Sequence, residues 1–155
     1  MLLTAKKLGD LSFSQLMEVY IEGNRQRGCS LLEAEQEFYD YLSQVFFSVP
    51  GAVYYVWEEG GSYVSALRLE PYRDGLLLEA LETAPQYRCR GYAQRLIREV
   101  QALYPDTVLY SHVHKQNRAS LAVHGSCGFQ KILDYARCID GSVLRTSVTL
   151  KWGKR

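Results

Sequence analysis

The chain has 155 residues, 47% of them apolar and 23% charged, the composition of an ordinary globular domain long enough to bury a core. Its formal net charge of +1, from 18 basic and 17 acidic residues, argues against broad attraction to nucleic acid or to a membrane surface. No apolar run reaches bilayer-spanning length, and Lys6, Lys7 and Asp10 interrupt the apolar start at Leu2-Leu3, so a cytoplasmic location is expected.

The chain opens with a short strand pattern, Leu2 to Leu8. Ser12 and Gln15 have capping-box spacing, and Leu16, Val19 and Tyr20 follow at helical intervals, predicting a helix to about Gly23 or beyond. Gly28 breaks the pattern. Ser30 and Glu33 form a second capping box, and Ala34, Phe38, Tyr41, Leu42 and Val45 make one helical stripe that Pro50-Gly51 ends. Strands are predicted over Ala52 to Glu58 and Tyr63 to Leu69, joined by a hairpin loop at Glu59-Gly60-Gly61-Ser62. The aromatic residues there, Tyr54, Tyr55, Trp57 and Tyr63, suit a core face or an acceptor pocket wall. Asp74-Gly75 turns into a longer strand, Leu76 to Ala84.

Helical spacing then runs from Tyr92 to Tyr104 and stops at Pro105, followed by a strand over Thr107 to Val113. Asn117 to Ser126 reads as a short helix closed by Gly128. Lys131 to Cys138 and Val143 to Lys151 read as a final hairpin around Asp140-Gly141. The pattern describes a single α/β or α+β domain over residues 1–155 with a mixed sheet, without linker or repeat. Cys29, Cys89, Cys127 and Cys138 are widely spaced with no C-x-x-C pair, so reduced thiols are expected.

The strand-to-helix turn between Thr83 and Tyr92 carries the clearest chemistry. It holds Arg88, Arg90 and Gly91, and Arg95 and Arg98 extend a basic cluster suited to a small anion. Helix-start N–H groups have no intrahelical partner and carry the positive end of the helix dipole, which makes such a turn a phosphate cradle. The turn matches neither G-x-G-x-x-G nor a P-loop. Alone, it reads equally as a solvated basic helix start with a packing glycine. Asn117, Ser120 and His124, spaced three and four apart, share one helix face that a β-α-β-α unit would bring beside the same ligand.

Together these residues resemble the GNAT superfamily of acetyl-CoA-dependent N-acetyltransferases. Arg88-Cys89-Arg90-Gly91-Tyr92-Ala93 is similar to that family's Gln/Arg-x-x-Gly-x-Gly/Ala signature. Asn117, Ser120, His124 and Gly128-Phe129 follow the order and spacing of its second signature. The resemblance is specific over about residues 76–129. It implies a central mixed, mostly antiparallel sheet splayed between the fourth and fifth strands, with helices on both faces. It further implies that backbone N–H groups from Arg88, Cys89, Arg90, Gly91, Tyr92 and Ala93 bind the CoA pyrophosphate, while Leu81 and Thr83 pair with the pantetheine arm. Asn117 and Ser120 would touch the cofactor from the other wall, and a backbone N–H near Leu81 would polarise the thioester carbonyl.

His124 stands where the family usually carries a tyrosine that protonates the leaving thiolate, and an imidazole can serve that role. Glu79, placed by strand parity on the side of Leu81 and Thr83, is the expected base, with Glu82 on the opposite parity the weaker candidate. A zinc site at His112, His114, His124 and Cys127 has no recognised spacing, so no metal is expected. The implied reaction is acetyl transfer from acetyl-CoA to a small-molecule amine or a protein amine, by direct attack in a ternary complex. Acceptor choice would lie in roughly Tyr20 to Ser30. No nucleic acid or membrane partner is expected, and the chain would act as a monomer or homodimer. The alternative is an acyl-CoA-binding sensor or interaction module with little transferase activity.

Overall fold

Strand β2 (Val53–Glu59) shows how the layers form. Val53, Tyr55 and Trp57 join one buried cluster and Tyr54 and Val56 join another, so the strand is apolar on both faces and needs cover on both. The computed structural model describes residues 1–28 and 30–153, and they supply that cover in an α/β/α arrangement. On one face pack α4 (Tyr92–Leu103), through Leu96, Ile97 and Val100, and the chain around α5 (Arg118–Ser126). On the other pack α1 (Phe13–Val19), through Leu16 and Val19, and α3 (Leu31–Gln44), through Leu42. The aromatic strand residues Tyr54, Tyr55, Trp57 and Tyr63 are therefore core.

The remaining strands are β1 (Leu2–Ala5), β3 (Ser62–Tyr72), β4 (Gly75–Thr83), β5 (Leu109–His114), β6 (Gln130–Leu133) and β9 (Ser147–Trp152), with a small pair β7 (Ala136–Arg137) and β8 (Val143–Leu144). The described residues form a seven-stranded sheet in the order β1-β2-β3-β4-β5-β9-β6, antiparallel except between β4 and β5. That parallel pairing covers only Leu76 to Leu78 against Leu109 to Ser111. Beyond Ser111 the two strands part, which is the expected splay of a mixed, mostly antiparallel sheet.

Three local expectations are revised. The first predicted helix is two: α1 ends at Val19, Tyr20 leaves helical geometry (φ −97°, ψ 8°), and α2 (Ile21–Gln26) follows. Ser12 and Gln15 form no capping box, because the Ser12 N–H donates to the Tyr63 hydroxyl and Gln15 Oε1 accepts from the Tyr63 N–H. At Ser30 the N-cap bond of the expected box is present, with Ser30 Oγ accepting from the Glu33 N–H at 3.2 Å. The C-terminal hairpin divides, with β6 pairing with β9 and β7 with β8. Cys89, Cys127 and Cys138 are free thiols, and the expectation for Cys29 falls outside the described residues.

Candidate active site

Parting of β4 from β5 opens a cavity of about 640 Å³. Its walls are Leu81, Glu82 and Thr83 of β4, the turn from Tyr87 to the start of α4, and Asn117, Ser120 and Val123 at α5. Glu22, Gly23 and Gln26 of α2 close one side. Of the residues expected to hold a cofactor, Leu81, Thr83, Arg88, Cys89, Gly91, Tyr92, Ala93, Asn117 and Ser120 all line it. Arg90 does not: its guanidinium lies 5.9 Å from the Tyr87 ring centroid.

The turn has the backbone of an anion cradle. Gly91 is the N-cap of α4 at φ +81°, and a Cβ there would meet nothing within 4 Å, so the backbone stands open to the cavity. The first N–H groups of α4 lack intrahelical partners and point out of the helix start. Cys89 also holds a left-handed conformation, φ 62°, which costs a side-chain-bearing residue about 1–2 kcal/mol. The arginines of the basic cluster border the turn, Arg88 at this cavity and Arg95 and Arg98 at a second one beside Gly91, and each also has a partner within the protein. Arg88 donates to Glu82 (2.9 Å) and to the Thr83 carbonyl (3.1 Å), Arg95 stacks over Trp57, and Arg98 donates to the Ser126 carbonyl.

Asn117 caps α5 by accepting from the Ser120 N–H at 3.1 Å, which sets both residues at the cavity wall. His124, one turn further on, faces away. It is 1% exposed and lies edge-on to Phe129, and its two ring nitrogens are engaged by Ser120 and Ser111. A carbonyl can only accept, so Nδ1–H donates to the Ser120 carbonyl (2.8 Å), which leaves Nε2 to accept from the Ser111 hydroxyl (2.9 Å). Burial pushes its pKa down and so favours the neutral ring. The general-acid role expected for His124 does not fit: Nε2 carries no proton to give, and the ring does not line the cavity.

Glu79 requires a second correction. Arg68 pairs with Glu79 and Ala66 with Glu82, so Ala80 and Leu81 together oppose the single Leu67. This is a β-bulge, with Ala80 at φ 52°. The extra residue reverses the alternation beyond it. Leu81 packs with Leu78 on the α4 side, while Glu79 faces the other core beside Arg68, 3.8 Å away. The parity that placed Glu79 with Leu81 and Thr83 therefore fails, and Glu79 does not line the cavity. Burial, and then Glu70, push its carboxyl up to about 8. Glu82 lines the cavity instead, its pKa raised by burial against the pull of Arg88.

A smaller cavity of about 290 Å³ lies across α2, lined by Tyr20, Asn24, Arg27, Glu37, Phe38, Tyr41, Arg68 and Ala80. At its inner end the Tyr20 hydroxyl donates to the Ala80 carbonyl (2.7 Å) and accepts from the Tyr54 hydroxyl (2.6 Å). Neither tyrosine carried a sequence signal for this contact, since the bulge that presents Ala80 is set by strand register. Among the described residues, no group of three or more His, Cys, Asp or Glu side chains is arranged to hold a metal ion.

A sheet parted where β4 leaves β5, with a helix start at the rim of the opening, is the architecture of the GNAT fold. The sequence profile of the acetyltransferase (GNAT) family matches residues 14–129, and the chain belongs to that family. The same fold occurs in the ribosomal-protein-S18-alanine N-acetyltransferase of Escherichia coli (TM-score 0.65, 15% identity, covering 100% of this chain and 96% of that one). It occurs in PH1933 of Pyrococcus horikoshii OT3 (TM-score 0.72, 12% identity, 100% and 99% covered). It also occurs in the PaiA N-acetyltransferase of Thermoplasma acidophilum, solved in complex with coenzyme A (TM-score 0.61, 14% identity, 99% of each chain). Likeness at these identities establishes the fold. No curated protein matches the chain in sequence.

Proposed function

We propose that this protein transfers an acetyl group from acetyl-CoA to a primary amine by direct attack in a ternary complex. The observation that carries this reading is the cavity where β4 has left β5, with the open helix start at Gly91 on one rim and Leu81, next to the bulged Ala80, on the other. The N–H groups from Arg88 to Ala93 suit the pyrophosphate, Leu81 and Thr83 suit the pantetheine amides, and Asn117 and Ser120 face them. In the reaction the amine nitrogen bonds to the thioester carbonyl carbon, the C–S bond breaks, and the thiolate leaves. The amine's surplus proton passes to a base and the thiolate takes one from solvent, since the one ring proton of His124 is held by the Ser120 carbonyl and the ring does not line the cavity.

Glu82 is the base in this reading. It is the carboxylate next to Leu81 that faces the cavity, and burial makes it more basic than an exposed carboxylate. The smaller cavity beyond α2 suits the body of the acceptor, a small molecule or a protein segment. The burial of His124 favours one rival, an acyl-CoA-binding module with little turnover. Acetyl-CoA-dependent release of free thiol across a library of amines separates the two: amine-dependent release is expected, and binding without it sinks the transferase reading. Glu82→Gln should lower kcat and abolish its decline at acid pH, because the wild-type base is lost as it protonates.

A further inference from the structure

The bulge leaves Ala80, Leu81 and Leu67 outside the paired register of β3 and β4, so the sheet ladder does not orient the peptide that joins Ala80 to Leu81. Ala80 is at φ 52°, a conformation that a residue with a Cβ holds only under restraint from its surroundings. That restraint comes from outside the strand. Tyr20, at the break between α1 and α2, donates to the Ala80 carbonyl, and Tyr54 of β2 donates to Tyr20.

We propose that Tyr20, backed by Tyr54, is a positioning residue for acyl transfer: it fixes the Ala80–Leu81 peptide so that the Leu81 N–H points into the larger cavity, toward the thioester carbonyl. Among the described residues there are no cis peptides, and a trans peptide holds its carbonyl and its N–H in opposite directions. Anchoring the carbonyl therefore aims the N–H. The two sides of this peptide also belong to different cavities. Ala80 lines the smaller one with Tyr20, and Leu81 lines the larger one. Drawing density onto the Ala80 oxygen makes the same amide's N–H a stronger donor, and a second phenol behind Tyr20 adds to the polarisation. Burial keeps both phenols in their protonated, donating form. Because Tyr20 also walls the smaller cavity, the place of the acceptor and the donor to the thioester oxygen are joined through one side chain.

This inference rests on the proposed acetyl transfer, and the test separates the two. Isotope-edited infrared difference spectra of bound acetyl-CoA, labelled with ¹³C at the acetyl carbonyl, report polarisation of that bond directly. The wild-type band should lie below that of free acetyl-CoA. In Tyr20→Phe it should move back toward the free position, with kcat about tenfold lower and the Kd for acetyl-CoA within about twofold. Tyr54→Phe, which keeps the Tyr20–Ala80 bond, should move it part of the way, and it carries the test if Tyr20→Phe does not fold. A shifted wild-type band that is unchanged in the variants overturns the positioning role and leaves the transferase reading standing. A wild-type protein that does not bind acetyl-CoA, or leaves its carbonyl band unshifted, overturns both.

Discussion

His124 and Glu79 are two titratable side chains that burial shifts toward their neutral forms, and each ties stability to pH with its own sign. His124 has its folded pKa below the ordinary 6.5, because burial disfavours the cation. The unfolded chain therefore binds the extra proton first. Stability is full above about pH 6.5 and falls as pH drops toward the folded pKa. Thermal unfolding between pH 7.5 and 5 should show this loss, and His124→Gln should flatten the slope. Glu79 behaves oppositely. Its folded pKa is raised from 4.5 to about 8 by burial and then by Glu70, so its contribution is full below the unfolded value and is lost as pH rises through the folded one. Glu79→Gln should gain stability relative to wild type between about pH 4.5 and 8, with no further gain above. Denaturant titrations across that range check it, and a constant difference would show that Glu79 is ionised throughout. Both residues were visible in the sequence as polar groups near a motif. Their directions were not, since one depends on the rotation of α5 and the other on one inserted residue in β4.

The length over which β4 and β5 stay joined sets the size of the cleft at the scale of elements. Gly75 starts β4 where the backbone of Val108 passes closest: an added Cβ would lie 2.0 Å from the Val108 carbonyl oxygen, which also accepts from the Leu76 N–H. Gly75→Ala must push the two strands apart at their joined end, and we expect a loss of about 1–3 kcal/mol in denaturant unfolding. At the other end of the joined stretch, Ser111 sits opposite Leu78, its hydroxyl oxygen 3.2 Å from the Leu78 carbonyl and its proton directed to His124. The helices were legible as patterns of caps and stripes. Their meeting points were less so, as the division of α1 from α2 at Tyr20 illustrates: the apolar spacing continues across the break, and the contact that Tyr20 makes there with Ala80 is sixty residues away.

For the whole molecule, occupation of the cleft links the two layers of helices to the sheet and should raise global stability. A ligand at about a hundred times its Kd adds about 2.7 kcal/mol, which for a chain of this size is roughly 5–10 °C in Tm. Acetyl-CoA should produce such a shift in wild type. In Gly91→Glu the shift should vanish, because a carboxylate at the start of α4 occupies the open space and repels phosphate. That carboxylate also suits the helix dipole, so the unliganded variant should unfold within about 1–2 kcal/mol of wild type despite the positive φ. A full shift in the variant would remove the helix start from the binding site.

Most of the order of strands and helices, the strand-to-helix turn from Arg88 to Ala93, and the N-cap at Asn117 were determined by the sequence alone. Each depends on interactions within a few residues: a cap, a glycine that accepts a positive φ, an apolar alternation. The tertiary structure decided which side chains the cavity receives. It withdrew His124 into the core, turned Glu79 to the opposite face and left Glu82 at the opening, and it brought Tyr20 to the bulged peptide. Those outcomes depend on register between strands and on helix rotation, and both are set by packing among residues far apart in the chain.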